Sequence, residues 1–311
     1  MLPSRRSVTL RTHQALALRA YHVWAPLRSG SRRATMARVD DARDSEALLA
    51  IEQALTKAEY YFRHIEGLGW SLDPRWDLVL DDHALLGVPQ SGTVLRLLAS
   101  ATEQLKLLAA EFTDRRLWVF ALYSLIRVSI ELSATVIWLI GPDEEEVRRM
   151  RRLRLELAAV NDYRNAVNDM SAASEQARGR QGASEREKQI SRIAKENGYV
   201  VEDVKQISVK SSVVIGEASS RLVAAQPGDD KSNPHWYRRQ WAIASGFAHG
   251  RSWAHAIFGE TISFEADDDG QAKQGLTLSV VELQKMLDAA LMMMWFASDR
   301  YEKRTRSPAN P

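Results

Sequence analysis

The sequence predicts a mainly α-helical fold, a helical bundle with a small β-hairpin before the last helix. Apolar residues recur at helical spacing along most of the 311-residue chain. The long apolar segments end at glycine or proline, which terminate helices. One stretch, residues 260–280, alternates apolar and polar residues around an Asp-Asp-Asp-Gly turn, and this pattern is typical of a hairpin.

The first half of the chain is predicted to contain four long helices. Gly67 ends the first of them, and Gly141-Pro142 ends the third. Pro142 also suits the first turn of the fourth helix, where the acids at 143–146 meet the positive end of the helix dipole. The expected helices are 41–66, 93–112, 114–140 and 142 to about 170, with a short helix around 80–86.

The segment after the fourth helix gives a weaker pattern. Residues 171–187 are small and polar, and they predict either a loop or a frayed helix. A short helix that ends at Gly198 follows. We expect another short helix next, a turn near 208–212, and a further helix that ends near Ala225.

Two helix starts are predicted from capping residues. Asn233 is a preferred cap and Pro234 a preferred first helical residue, so the next helix begins there. Its apolar pattern continues through YRRQWAIASGFAHGRSWAHAIF, residues 237–258. Ser279 and Glu282 form a capping box, which opens the last helix.

The charge distribution separates the first residues from the rest of the chain. Residues 1–38 contain eight arginines and no acid, whereas the remainder holds 34 basic and 40 acidic residues, a formal −6. We expect residues 1–38 to be disordered or a mis-annotated extension upstream of Met36, with a transit peptide as the alternative. Residues 39–305 form a single helical domain, and residues 306–311 a disordered tail. The acidic body gives no global electrostatic reason to bind nucleic acid.

Composition also bears on compartment and membrane. The chain has no cysteine, which excludes disulfides and thiolate metal sites and suits a cytoplasmic protein. Residues 117–140 are the most apolar segment, but Arg127 and Glu131 interrupt it. Because a charge at the centre of a membrane helix costs roughly 2.5–3.5 kcal/mol on insertion scales, we expect no membrane span. A buried helix of a soluble bundle is predicted instead.

Four polar residues break the apolar pattern and form the candidate site. Arg127 and Glu131 lie one turn apart, either on an exposed helix face or in a buried polar cluster. Ser245 and His249 are also four residues apart, and glycines at 246 and 250 would let another backbone or a ligand approach. His249 is either a core histidine or a proton-transfer group. Since buried polar groups need partners, we expect Arg127, Glu131, Ser245 and His249 to converge.

Other chemical motifs are absent or ambiguous. The sequence has no glycine-rich phosphate loop, no GxSxG and no HExxH, and no metal or cofactor is predicted. His249 and His255 are six residues apart, a spacing that fits no helical metal pair. Five arginines lie between 148 and 154. They form either the solvated face of a helix, as such runs usually do, or a contact surface for RNA phosphates.

Three segments together resemble a known group of proteins. They are LYSLIRVSIELSATVIWLIGP, RRMRRLRLEL and YRRQWAIASGFAHGR. This combination is similar to a group of uncharacterised actinobacterial helical proteins, which in turn is distantly similar to the HEPN superfamily. The resemblance implies a helical bundle that often dimerises, and many HEPN proteins are metal-independent ribonucleases of toxin or phage-defence systems. Active members carry an arginine a few residues before the histidine, whereas Arg239 precedes His249 by ten positions.

Two functions therefore stay open. The first is a HEPN-like ribonuclease, with RNA and a second copy of the chain as candidate partners. In it His249 would exchange a proton with the RNA and Arg127 would stabilise the phosphate charge. Glu131 would orient one of these two residues, and Ser245 would hydrogen-bond the histidine or the substrate. The alternative is a non-enzymatic helical module that binds another protein or a ligand.

Overall fold

The computed structural model describes residues 42–67, 76–113, 119–206, 209–226, 233–266, 272–277 and 279–305. The predictions for residues 1–38 and 306–311 fall outside these ranges. The mainly α-helical class is confirmed. The elements, in chain order, are α1 (Ala42–Gly67), α2 (Asp77–Ala84), α3 (Gln90–Thr113), α4 (Val119–Ile140), α5 (Glu145–Asn168), α6 (Ala173–Glu196), α7 (Val201–Gln206), α8 (Ser211–Ala225), α9 (Pro234–Ala248), α10 (Ser252–Phe258), β1 (Glu260–Ala266), β2 (Ala272–Thr277) and α11 (Val280–Thr305).

Helix α4 lies at the centre of the bundle. It packs against α3, α8, α9 and α11, because its sequence is apolar on nearly every side. The last five residues of α4 are all buried, as are Leu122, Tyr123, Ile126 and Ile130. The main hydrophobic core therefore surrounds α4, and α1 closes it from the far side of α3 and α11.

The same helix bears on the membrane question. Within the described part of the chain, only Phe120–Ile140 is long and apolar enough to cross a bilayer. Half of this segment is buried inside the fold, which is typical of a core helix in a soluble bundle. The structure therefore gives no clear membrane span.

A second, smaller core forms where α5, α6 and α7 meet. Leu153 and Leu157 of α5 pack there with Ile190 and Ile193 of α6 and Val204 of α7. Gly179 allows the close approach of α6 to α5, since a Cβ atom at this position would lie 2.6 Å from a methyl group of Val167. This contact depends on a glycine rather than on large apolar residues, which explains the weak sequence pattern over 171–187. The helical alternative for that segment is the correct one.

Local capping signals are borne out at two helix ends. The side chain of Asn233 accepts a hydrogen bond from the backbone N–H of His235 at 2.9 Å, and Pro234 is the first residue of α9. Gly198 has φ +77° just beyond the end of α6, a left-handed conformation that glycine adopts without strain. By contrast, α5 begins at Glu145, three residues after the predicted start at Pro142.

The prediction of one continuous helix through residues 237–258 is wrong. Helix α9 ends at Ala248, His249 caps it, and α10 begins at Ser252. Gly250 lies between them with φ +62°, and the backbone N–H of Arg251 bonds the carbonyl of Gly246 at 2.8 Å. This left-handed glycine reverses the chain, so α10 folds back onto α9 instead of extending it.

Candidate functional site

Arg127 and Glu131 form a half-buried ion pair that includes a third residue. The Nε atom of Arg127 lies 3.0 Å from Oε1 of Glu131, and Nε1 of Trp241 on α9 donates to the same oxygen at 2.8 Å. The side chains of Arg127 and Glu131 are 25% and 23% exposed. The pair is therefore neither on a fully exposed face nor in a sealed core, and it links α4 to α9.

Ser245 and His249 lie further along α9. Ser245 is half-buried, and its carbonyl accepts the backbone N–H of His249 at 3.0 Å. The side chain of His249 is exposed at the end of the helix. His249 follows Trp241 by eight residues, which places it about 12 Å along the helix axis at 1.5 Å per residue.

Of the four residues predicted to converge, Arg127 and Glu131 are joined by a side-chain hydrogen bond. Within the described part of the chain, no hydrogen bond or ion pair joins the side chains of Ser245 or His249 to Arg127 or Glu131. The reason is the antiparallel packing of α4 and α9, in which Phe247 stacks on Tyr123 at 4.0 Å. His249, two turns beyond Trp241, therefore lies towards the start of α4 and away from Glu131, whereas Ser245 lies only one turn beyond Trp241. The catalytic roles of the four residues stay predictions.

Gly246 accounts for the close packing of the two helices around the turn. A Cβ atom at Gly246 would lie 2.7 Å from both the Cβ of Ala254 and the ring of Trp253. The missing side chain at Gly246 therefore admits side chains of α10, whereas the expectation was the approach of a backbone or a ligand. His255 of α10 packs edge-on against Phe120 and Phe247, so it contributes to this aromatic cluster.

The most extensive polar cluster surrounds the C-terminal end of α4, a feature that the sequence analysis missed. The final carbonyls of a helix lack intrahelical partners and carry the negative end of its dipole, so they attract cations. Four arginines from α5, α8 and α11 satisfy these carbonyls, and we call them the arginine cap. The contacts are Arg151 to Trp138 (2.7 Å), Arg304 to Ile140 (3.3 Å) and Pro142 (2.8 Å), Arg221 to Gly141 (3.2 Å), and Arg148 to Pro142 (3.2 Å) and Asp143 (2.7 Å).

Asp81 connects this cap to α2. It is completely buried, and its carboxylate accepts Nε of Arg148 at 2.7 Å and Nε of Arg149 at 2.9 Å. Burial raises the pKa of the Asp81 carboxyl, while the hydrogen bonds and charges of the two arginines oppose that shift. Arg148 is only 2% exposed, and Arg152 only 3%. The interpretation of residues 148–154 as a solvated face is therefore wrong for these two arginines, which are structural.

A second, half-buried carboxylate joins α5 to α6. Glu156 accepts hydrogen bonds from Arg152 at 2.8 Å and from Nε of Arg186 at 2.9 Å. Burial alone would raise the pKa of Glu156, but the two arginines outweigh it and hold that pKa below its ordinary value of 4.5. Burial lowers the pKa of Arg152, and Glu156 opposes this change. The arginines of α5 thus hold neighbouring helices together.

An open groove between α8 and the start of α9 has the character of a binding site. Its volume is about 720 Å³, within the range of 300–1,000 Å³ typical of small-molecule sites. Small residues of α8 leave the space, since Ser212, Gly216 and Ser220 recur every four residues along the groove. The charged or titratable groups at the groove are Glu217, Arg221, His235 and Arg238.

The groove has an excess of positive charge. Glu217 is the one acid among the described residues that line it, and Nη2 of Arg151 bonds its carboxylate at 2.5 Å. Burial lowers the pKa of Arg151; Glu217 opposes this shift and the nearby charge of Arg221 adds to it. The charge of Glu217 is thus already balanced by Arg151, while Arg221 and Arg238 line the same groove.

Neither metals nor known proteins add to this picture. In the ranges that the structure describes, no three His, Asp or Glu side chains are grouped so that they could hold a metal ion. Comparisons of the chain with protein-family models, curated proteins and solved structures gave no match. The resemblance to HEPN proteins stays a prediction, and any function has to be argued from the geometry of the chain itself.

Proposed function

We propose that this protein is a helical ligand-binding module whose ligand occupies the groove between α8 and α9. The observation that carries the proposal is the groove itself, a solvent-open space of about 720 Å³ that polar and charged side chains from two helices line. The helices that form its walls are held by the arginine cap and by the packing of α8 and α9 on α4. An open groove with a few charged groups on walls held in this way suits ligand binding.

Binding has more geometric support than RNA cleavage at His249. A general acid–base residue works within about 2.6–3.2 Å of the group that it serves, and charge-stabilising groups lie beside it. Oε1 of Glu131 already accepts hydrogen bonds from Arg127 and Trp241, and His249 lies about two helical turns beyond Trp241. The ribonuclease therefore ranks second among our proposals, together with RNA and a homodimer as its partners.

A cytoplasmic location is part of the proposal. The absence of cysteine supports it, because a protein without thiols needs no oxidising compartment to fold. The half-buried state of the one membrane-length helix in the described residues is compatible with it.

Ligand-observed NMR tests the binding function with a fragment set of neutral, anionic and cationic molecules. Fragments that bind the wild-type protein should lose binding in Gly216→Phe, because this side chain would fill the groove. A methyl group at Gly216 meets only Cδ and Nε of Arg238, at 3.6 and 3.8 Å, so the helix tolerates a side chain there. Gly182→Phe is the matched control, since nothing lies within 4 Å of a Cβ at that helical glycine.

Equal fragment binding by wild type and Gly216→Phe would reject the groove as the site. The ribonuclease is tested separately with a generic single-stranded RNA in the presence of a chelator. Cleavage by the wild-type protein that disappears in His249→Ala would replace the binding proposal with the catalytic one. We expect no cleavage by either protein.

A further inference from the structure

We propose that the groove between α8 and α9 recognises a phosphate group on a small molecule, with Arg221 and Arg238 as its ligands. This inference rests on the proposed binding function and names the chemical class of the ligand. It follows from the position of the two guanidinium groups and from the ion pair that Glu217, the one acid in the described lining, forms with Arg151.

The two arginines reach the groove from different helices. One nitrogen of the Arg221 guanidinium on α8 is already held, because its Nη1 donates to the carbonyl of Gly141 at 3.2 Å. Arg238 of α9 passes over Gly216, where the missing side chain leaves room for its Cδ and Nε atoms. The two side chains thus reach the groove from two different helices, and an anion bound between them would accept hydrogen bonds from both guanidinium groups.

Among the described residues that line the groove, no acid pairs with Arg221 or Arg238. Glu217 could neutralise an arginine of the groove, but its carboxylate is bonded to Arg151 of α5 at 2.5 Å. Arg151 is itself fixed by the carbonyl of Trp138 at 2.7 Å and is 12% exposed. Two cations on the walls therefore face a neutralised acid, and an added anion would relieve the excess positive charge.

The arrangement favours phosphate over a carboxylate. One guanidinium fork satisfies the two oxygens of a carboxylate, whereas a phosphate has three terminal oxygens and can bridge two arginines from different directions. The Ser212 hydroxyl lies at the groove as a further donor. The imidazole of the exposed His235 is the one aromatic ring among the described lining residues, so the two cations outweigh it as the feature that a ligand would recognise.

The overall charge favours a small molecule over a nucleic acid. Residues 39–311 carry a formal −6, which repels a long polyanion but has little effect on one phosphate held by two local arginines. A small phosphate compound and an RNA backbone present the same phosphate group, so the experiment includes an oligonucleotide to distinguish between them.

Isothermal titration of the full-length protein with inorganic pyrophosphate at low ionic strength tests the inference. We expect saturable binding at one site that weakens as sodium chloride is added. Arg238→Gln should weaken it about tenfold or more, and Arg238→Lys by less, because lysine keeps the charge but loses the fork. The matched control is Arg239→Gln on the same helix. Arg239 lies over the ring of Phe258, 5.4 Å from its centroid, and is not among the lining residues. The Arg239→Gln variant should therefore bind pyrophosphate as the wild-type protein does.

Several results would overturn the inference. They are the absence of saturable pyrophosphate binding, an affinity of Arg238→Gln within twofold of wild type, or equal binding of citrate and pyrophosphate. A single-stranded oligonucleotide that binds more tightly than pyrophosphate and competes with it would overturn the small-molecule assignment. If neutral fragments bind the groove while pyrophosphate does not, the proposed function stands and this inference alone fails. If neither binds, both fail.

Discussion

Asp81→Asn is the sharpest test of the buried network that joins α2 to α5. The wild-type carboxylate is completely buried and bonds two arginines, of which Arg148 is only 2% exposed. The substitution leaves the guanidinium of Arg148 buried without its counter-ion. Removing one partner of a buried ion pair typically destabilises by about 3–5 kcal/mol.

The structure places the expected cost at the lower end of that range. Arg148 keeps its hydrogen bonds to the carbonyls of Pro142 and Asp143, and Arg149 keeps the exposed carboxylate of Glu145 at 3.0 Å. We expect a loss of about 3 kcal/mol in the free energy of unfolding, measured by urea denaturation. At about 2–4 °C per kcal/mol for a domain of this size, the melting temperature should fall by roughly 6–12 °C.

Asp77→Asn is the control, because it is the same change on the same helix. Asp77 bonds Arg304 at 2.6 Å, but its side chain is 47% exposed. An ion pair this accessible contributes about 0–1 kcal/mol, so Asp77→Asn should cost less than 1 kcal/mol. If the two substitutions have the same effect, burial of Asp81 does not set the strength of this network and the reasoning fails.

Three further predictions follow from local geometry. Gly246→Ala forces a methyl group against Ala254 and should lower the free energy of unfolding in urea by about 1–3 kcal/mol. Its control, Gly182→Ala, adds a methyl group in open space and should stabilise by up to about 1 kcal/mol. Equal effects of the two substitutions would contradict the packing argument. Tyr301→Phe should leave the melting temperature unchanged or raise it, because the buried hydroxyl has no hydrogen-bond partner among the described residues. A clear fall in the melting temperature would show that the hydroxyl does have a partner. Since the pKa of Glu156 is lowered in the folded state, its carboxylate contributes stability above about pH 4.5 that is lost as the pH falls through the folded pKa. The stability difference between wild type and Glu156→Gln should therefore shrink in acid, and a difference independent of pH would refute the assignment.

The parts of the fold that depend on local chemistry could be predicted from the sequence. Helix α4 follows from a long apolar segment that Gly141-Pro142 ends, and the start of α9 from Asn233 and Pro234. The side-chain contact of Arg127 with Glu131 is also local, since residues one turn apart on a helix are neighbours.

The remaining features depend on residues far apart in the chain. Glu131 bonds Trp241, and Arg148 bonds Asp81, 67 positions away, so neither partner can be identified from spacing. The turn at Gly250 was missed although the sequence carries a signal for it, since residues 249–252 are polar or glycine and a glycine with positive φ commonly ends a helix. The five arginines between 148 and 154 were interpreted as a solvated helix face or an RNA contact, although they also carry a signal for helix capping. When an arginine-rich helix follows a helix that ends at Gly-Pro, its arginines can donate hydrogen bonds to the carbonyls at the end of the preceding helix.

The location of bound pyrophosphate on the protein tests the central claim most directly. We would measure backbone amide chemical shifts of the labelled wild-type protein during a pyrophosphate titration. The account predicts that the largest changes lie in residues 211–225 and 234–238, the segments that form the groove. Changes centred on Arg127, Glu131 and His249, with the groove unaffected, would contradict it and return the candidate site to the four residues that the sequence analysis selected.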